Sequence, residues 1–237
     1  MSGTASLFKR AKHIYEMEGI VALLRRVFSF LAYCLFQYQT YYLYAHYPHS
    51  DDGLPEAALM PQIEHLSYRT ISTDREADLL EANGFEFRSH CADSRERLEK
   101  GAVALCIFIS RELANVVWVA TTQQAKDSLK QPPFKVDFSK NEVCVGNGWT
   151  NPKYRRMGLR VYGHLKGSQF LLDKGIAVSR YAIAKGNFAA QMSTEKVYLH
   201  PYAEGRYLRI LWWKSWRERP LSVKEQEAIG QTNEPHN

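Results

Sequence analysis

The sequence predicts a mixed α/β domain of the α+β kind, a sheet flanked by helices, with a helical extension at its N-terminus. Three observations carry that expectation. Two β-rich runs, residues 102–110 (AVALCIFIS) and 114–120 (ANVVWVA), are separated only by the polar pair Arg111-Glu112, the pattern of an antiparallel hairpin. A third run, 141–149 (NEVCVGNGW), leads through a basic, glycine-bearing turn into the helical stripe Leu159, Tyr162, Leu165 and Leu172. Strand, helix and strand patterns then alternate over residues 176–184, 187–196 and 206–213. With 237 residues, 45% of them hydrophobic and 24% charged, the chain has material for one core with appendages, which excludes a disordered chain, a collagen-like repeat or a disulfide scaffold.

In chain order, residues 1–47 read as the extension. After Arg25 and Arg26 comes the apolar run 27–36, followed by a cluster of tyrosines, Tyr38, Tyr41, Tyr42, Tyr44 and Tyr47. A membrane-spanning helix needs about 18–20 mostly apolar residues, so this run is too short to cross. Two readings stay open. One is a helix docked on the protein's own core. The other is an amphipathic helix in a membrane interface, with Lys9, Arg10, Lys12, Arg25 and Arg26 on lipid phosphates, which makes residues 19–45 a peripheral membrane contact. Residues 48–61 (PHSDDGLPEAALMP) hold three of the nine prolines and read as a linker.

The main domain is then 62–216. Asp74 caps a short helix whose last turn is followed by Gly84, and 94–100 forms a second one stopped by Gly101. In the strand 141–149, Gly146 and Gly148 point to a bulge or to a close approach of something to the backbone. Lys174 and Gly175 close the long helix. Residues 217–237 read as a polar, frayed tail.

Thirty-one Lys and Arg against 25 Asp and Glu give a net charge of +6, which favours anionic partners without choosing among them. Cys34, Cys91, Cys106 and Cys144 form no C-x-x-C pair and read as reduced core residues; with no signal cleavage site after the apolar run, the expected location is cytoplasmic. No H-x-x-x-H or H-E-x-x-H is present, so no metal is expected, and without a G-x-S-x-G elbow a serine hydrolase is set aside.

The most informative passage is Thr150-Asn151-Pro152-Lys153-Tyr154-Arg155-Arg156-Met157-Gly158-Leu159-Arg160. A strand that ends in a basic, glycine-containing turn opening into a helix brings unpaired N–H groups and a positive helix end to one point. With Arg155, Arg156 and Arg160 added, a diphosphate matches this charge better than a lone carboxylate. An ordinary strand-to-helix turn with solvated arginines is the competing reading.

This stretch resembles the GCN5-related N-acetyltransferases (GNAT), whose R/Q-x-x-G-x-G/A loop is matched here by Arg155-Arg156-Met157-Gly158-Leu159-Arg160, preceded by Pro152-Lys153-Tyr154. Asn187 and Ala190 stand at the family's later N-x-x-A, and the resemblance covers roughly residues 102–213. It implies the acyl-CoA N-acyltransferase fold, a mixed and mostly antiparallel sheet between helices, and acyl transfer from acetyl-CoA to an amine by direct attack, with acetyl-CoA as co-substrate and no metal. It assigns the co-substrate to Trp149, Thr150, Arg155, Arg156, Met157, Gly158, Leu159, Arg160 and Asn187, and the acyl carbonyl, where negative charge develops, to N–H groups of residues 146–149. Two departures stand out. Arg160 replaces the loop's last small residue, and Thr194 stands where the family has its proton-donating tyrosine. An aliphatic hydroxyl is too weak an acid for that task, so Tyr198 is the substitute, with a packed aromatic as its competing reading. Glu142 or His200 is the candidate base. The acceptor, a small molecule or an amino group, is not legible.

Two rival functions are carried alongside. One is long-chain acyl-CoA or acyl-carrier-protein-dependent synthesis of an N-acyl amino acid at the membrane, suited by residues 27–36. The other is a non-enzymatic nucleic-acid-binding module, suggested by the interleaved Arg206, Arg209, Trp212, Trp213, Lys214, Trp216, Arg217 and Arg219. Against nucleic acid, the alternation in 207–213 reads as a buried strand with Trp212 or Trp213 in the core.

Overall fold

The computed structural model describes residues 20, 21, 35–48, 60–197 and 199–232. Most of the expected N-terminal helix, most of the linker and Tyr198 lie outside the described residues. The chain divides into two compact units, Met1–Thr40 with Arg206–Arg217, and Tyr41–Gly205 with Glu218–Asn237.

Eight strands are described: β1 (Phe36–His46), β2 (Leu66–Ile71), β3 (Ala102–Ile109), β4 (Glu112–Ala120), β5 (Glu142–Thr150), β6 (Val178–Ala184), β7 (Pro201–Ile210) and β8 (Trp213–Pro220). The described helices are α1 (Asp74–Ala82), α2 (Ser94–Glu99), α3 (Gln123–Ser128), α4 (Leu159–Asp173), α5 (Phe188–Glu195) and α6 (Val223–Thr232). The strands form one sheet in the order β2-β3-β4-β5-β6-β1-β7-β8. β2, β3, β4 and β5 pair antiparallel in succession, as do β6 and β1, whereas β5 and β6 run parallel. The architecture is therefore the mixed, mostly antiparallel sheet that the sequence predicts.

The hairpin β3–β4 is apolar almost throughout because helices cover both of its faces. On one face, Leu105, Ile107, Ala114 and Val119 meet Leu159, Tyr162 and Leu171 of α4. On the other, the buried Trp118 carries the Arg97 guanidinium of α2 5.0 Å from its ring centroid and lies beside Phe87. α4 comes close to the sheet because Gly163 has no side chain; a Cβ there would stand 3.1 Å from Asn115 Oδ1 and 3.3 Å from Ile107 Cδ1. α1 begins one residue earlier than expected. Thr73 caps it in a reciprocal box with Glu76, freeing Asp74 to pair with Arg88 and Arg95.

Several expectations need correction. Residues 36–46 belong to the sheet and not to a helical extension. Their tyrosines and Thr40 favour a pleated, half-buried strand, Leu43 is fully buried, and Tyr44 stacks on Tyr181 at 5.2 Å. β2 had no sequence counterpart. Residues 217–232 are not frayed throughout, since β8 runs to Pro220 and α6 follows. Leu172 is exposed, and Leu171 takes its place in the buried stripe. Trp212 and Trp213 are exposed at a turn and not in the core. No described helix is long and apolar enough to cross a membrane.

Candidate active site

The site begins with two irregularities in the sheet. β4 and β5 lose register where Val116 pairs with Trp149 and Trp118 with Gly146, so β5 carries one extra residue and bulges, with Asn147 at φ +50°. Next to it, β5 and β6 pair over only three positions, residues 142–144 with 178–180, although both strands continue. Parallel strands that part in this way leave backbone N–H and C=O groups facing a gap. A cavity of about 350 Å³ fills the gap, lined by Val145–Gly148 positions of β5, by 181–184 of β6, and by residues of α4 and α5.

Side chains approach the bulge closely. Gln131 Nε2 donates to Asn147 Oδ1 at 2.5 Å, and Asn147 Nδ2 donates to Leu129 O at 2.9 Å, which fixes the bulge from the preceding loop. A Cβ at Gly146 would collide with the Gln131 amide, and one at Gly148 with the Arg160 guanidinium. The two glycines thus mark both a bulge and a close approach.

α4 starts at this point. Its cap is Gly158 at φ +77°, a conformation that glycine adopts without steric cost. No side chain caps the helix and no acid lies in its first turn, so the positive end of a 15-residue helix is uncompensated from within. The turn leading to it is held by Glu112. Its carboxylate accepts from Asn151 Nδ2 at 2.9 Å, Lys153 Nζ at 2.7 Å and the Tyr154 hydroxyl at 2.5 Å. Lys153 first, then Tyr154, hold the Glu112 pKa down to about 2. This role is not legible from local sequence, because the partners are 39–42 residues away.

Arg160 is a cation of the cavity lining, as is Lys130, which pairs with Asp93 at 3.2 Å. The Arg160 side chain turns inward against Gly148, and among the described residues it forms no hydrogen bond or ion pair. Burial lowers its pKa, a direction that expresses the cost of holding a charge there without a counter-ion. Beside it, the His164 ring lies 4.6 Å from that of His46, and burial, then His46 and Arg160, depress the His164 pKa to about 3. His164 is thus neutral at pH 7 and a feeble base. Tyr181 also lines the cavity; burial raises its pKa, with Arg160 and the nearby Thr194 side chain acting in the other direction, and Thr194 Oγ1 itself donates to Ala190 O at 3.0 Å.

Of the residues singled out by sequence, Gly146, Gly148, Arg160, Asn187 and Thr194 line the cavity. Asn187 caps α5, its Oδ1 accepting the Ala190 N–H at 3.2 Å. Trp149 stacks on His90 at 4.8 Å, and Thr150 Oγ1 accepts from Asn115 Nδ2 at 2.8 Å. Arg155, Arg156, Met157 and Gly158 form the exposed turn outside the cavity lining, while Leu159 is buried in the core. Glu142 lies away from the cavity lining. Arg180 Nε and Nη2 both donate to its carboxylate at 2.6 Å, and that guanidinium lowers its pKa, which makes Glu142 a structural ion-pair partner and a poor base. His200 is exposed and also outside the lining. Tyr181 was missed: it sits in a strand pattern, and its proximity to Thr194 comes from the packing of α5 on β6. Among the described residues, no group of three or more His, Cys, Asp or Glu is arranged to hold a metal ion.

The fold as a whole is shared with a solved structure. The chain superposes on the GCN5-related glucosamine N-acetyltransferase region of a fungal multi-domain GH3 β-N-acetylglucosaminidase with a TM-score of 0.50, at 12% identity over 81% of this chain. The fold is that of the GCN5-related N-acetyltransferases. A tandem GNAT protein from the clavulanic acid biosynthesis pathway aligns with a TM-score of 0.47 at 15% identity over 84% of this chain, and a GNAT from Sphaerobacter thermophilus with 0.43 at 13% over 87%. The chain spans 23% of the fungal protein and 59% of each of the other two. No protein-family model matches the sequence, and no curated protein matches it. In the GNAT fold of this chain, β5 and β6 are the two strands that part.

Proposed function

We propose that this chain is an acyl-CoA-dependent N-acyltransferase that moves a short acyl group, acetyl in the simplest case, from coenzyme A to an amine. The observation that carries this reading is the juxtaposition of the bulge on β5, the gap between β5 and β6, and the uncapped start of α4 with Arg160 turned into the same cavity. The anionic end of acyl-CoA would lie against the α4 N-terminus and the Arg155–Arg156 turn, with the thioester toward the bulge. The cavity volume of about 350 Å³ is at the small end for ligand sites and favours a short acyl group over a long chain.

In the reaction, the amine nitrogen attacks the thioester carbonyl carbon, the C–N bond forms, the C–S bond breaks, and the amine proton and a proton for the thiolate are accounted for separately. N–H groups of the bulge would stabilise the negative charge that develops on the carbonyl oxygen. Tyr181 is the proton donor that the geometry favours for the thiolate, because its hydroxyl stands at Thr194, the position of the family's tyrosine. Its raised pKa keeps it protonated at neutral pH. Neither His164, a feeble base, nor Glu142, bound to Arg180, supplies the base; an amine that arrives neutral or loses its proton to water fits this site.

Calorimetric titration with coenzyme A tests the reading. The protein should bind it, and Arg160→Gln, with an unchanged circular dichroism spectrum, should bind about tenfold to a hundredfold more weakly, the cost of one charge-assisted contact. Tyr181→Phe should keep binding and lose thiol release from acetyl-CoA with mixed amines. A well-folded protein that does not bind coenzyme A overturns the proposal.

A further inference from the structure

The smaller unit carries a feature that acyl transfer does not use. β7 and β8 are joined by the two-residue turn Leu211-Trp212, and four consecutive apolar residues, Ile210, Leu211, Trp212 and Trp213, are exposed there, Trp212 to 86%. Two-residue hairpin turns ordinarily carry glycine, asparagine or aspartate, because they need left-handed backbone and face water. Here Leu211 takes that conformation, at φ +56°. A β-carbon in a left-handed turn is strained, and bulky apolar side chains at a hairpin tip lose nothing to water only when something apolar receives them.

The surface continues along the start of β1. Leu211 N–H donates to Leu35 O at 2.6 Å, and Leu35, Phe36 and Tyr38 are also exposed. The segments that form this patch carry charge of one sign. Residues 206–217 contain Arg206, Arg209, Lys214 and Arg217 and no acid, and residues 35–40 contain no charge at all. Residues 19–34, which lead into β1, add Arg25 and Arg26 and again no acid.

We infer that the β7–β8 hairpin tip is a wedge that docks the protein on an anionic lipid bilayer, with Trp212 and Trp213 at headgroup depth, Ile210 and Leu211 at the acyl boundary, and Lys214 and Arg217 toward lipid phosphates. The shape selects this occupant. A convex tip inserts into a deformable interface, whereas a folded partner has to offer a matching pocket. Tryptophan settles at the membrane–water interface, where its ring is buried and its N–H stays wet, and cations beside it are drawn to an anionic leaflet. Single-stranded nucleic acid would use the aromatic rings and the cations but has nothing for Ile210 and Leu211, which offer no face for a base to stack on. A second copy of the chain would set four like charges against four like charges.

Co-sedimentation of the full chain with vesicles tests this, using phosphatidylcholine alone and an equal mixture with phosphatidylglycerol. The protein should pellet with the mixed vesicles, less with phosphatidylcholine, and less again at high salt. Tryptophan emission should shift to the blue and be quenched by brominated lipid. Trp212→Ser/Trp213→Ser, both exposed and outside the core, should keep the melting temperature and weaken partitioning by about tenfold or more, with the blue shift lost. Lys214→Gln/Arg217→Gln should weaken binding to the mixed vesicles alone. The inference is overturned if the wild type stays in the supernatant with mixed vesicles, or if the double tryptophan variant pellets as the wild type does. It is equally overturned if those tryptophans prove necessary only for binding oligothymidylate or for concentration-dependent dimerisation in sedimentation velocity.

Discussion

Replacing Glu142 with glutamine should cost stability and leave chemistry in place. In the native chain both carboxylate oxygens accept from Arg180 at 2.6 Å, and Oε2 also accepts the Asp137 N–H at 2.8 Å. The amide keeps the shape but removes the charge, and it turns one acceptor into a donor that faces a donor. Breaking a buried ion pair from one side costs about 3–5 kcal/mol. The Arg180 side chain retains 22% of its exposure, so some water reaches the orphaned guanidinium, and the low end, about 3 kcal/mol, applies. For a chain of this length that is a fall of roughly 6–12 °C in melting temperature.

The pH dependence has a definite sign. Arg180 holds the folded Glu142 pKa below its ordinary value, so the contribution is complete above the unfolded carboxyl pKa of about 4.3 and is lost as pH falls through the lowered folded value. The difference between wild type and variant in urea denaturation should therefore be constant from about pH 6 to pH 8 and shrink in acid. Glu142→Met/Arg180→Met should lose less than Glu142→Gln alone, because neither charge is then stranded. Thiol release well below both melting temperatures should be unchanged. If Glu142→Gln instead unfolds like the wild type and turnover collapses, the carboxylate serves the reaction and the structural account is wrong.

His164→Phe should flatten the acid limb of stability. The folded pKa of about 3 lies below the unfolded value near 6.5, so between these the unfolded chain binds the extra proton and wild-type stability falls with pH by up to about 1.4 kcal/mol per unit; urea midpoints from about pH 6 to pH 4 read this slope. Glu112→Gln removes the charge and one of the two acceptor oxygens that gather Asn151, Lys153 and Tyr154, and should weaken coenzyme A binding by calorimetry while the unfolding midpoint moves little; the reverse pattern would make Glu112 a stability residue only. Thr73→Ala opens the capping box of α1 and should cost about 1 kcal/mol, read as a melting-temperature loss of roughly 2–4 °C with coenzyme A affinity unchanged.

What the sequence made legible follows from how local each signal is. The β3–β4 hairpin announces itself because both strands are covered on both faces and are apolar nearly end to end, with a polar turn between them. The α4 start is legible because Gly158 and the neighbouring arginines are contiguous. β1 was not, since tyrosines serve a strand, a docked helix and a membrane-facing helix equally well, and only its pairing with β6, more than a hundred residues on, decides. Shorter separations are enough to hide the Glu112 clamp, whose partners lie 39–42 residues on, and the nearness of Tyr181 to Thr194. The tryptophans at 212 and 213 misled for a different reason: alternation marks a strand, but it does not reveal where the strand turns.

The place of β1 in the sheet also orders events during synthesis. Tyr41–His46 pair with residues 179–184, and β1 stands between β6 and β7. A strand made more than 130 residues before its β6 partners thus waits for them, and such long-range closure slows folding and leaves edges unpaired in the meantime. The β2–β5 meander can form as soon as it emerges, while the half of the sheet beside the gap between β5 and β6 closes only after β6 and β7 have been made. Shortening the protein to begin after residue 47 would therefore do more than remove an appendage, because β6 and β7 would face each other across a missing strand.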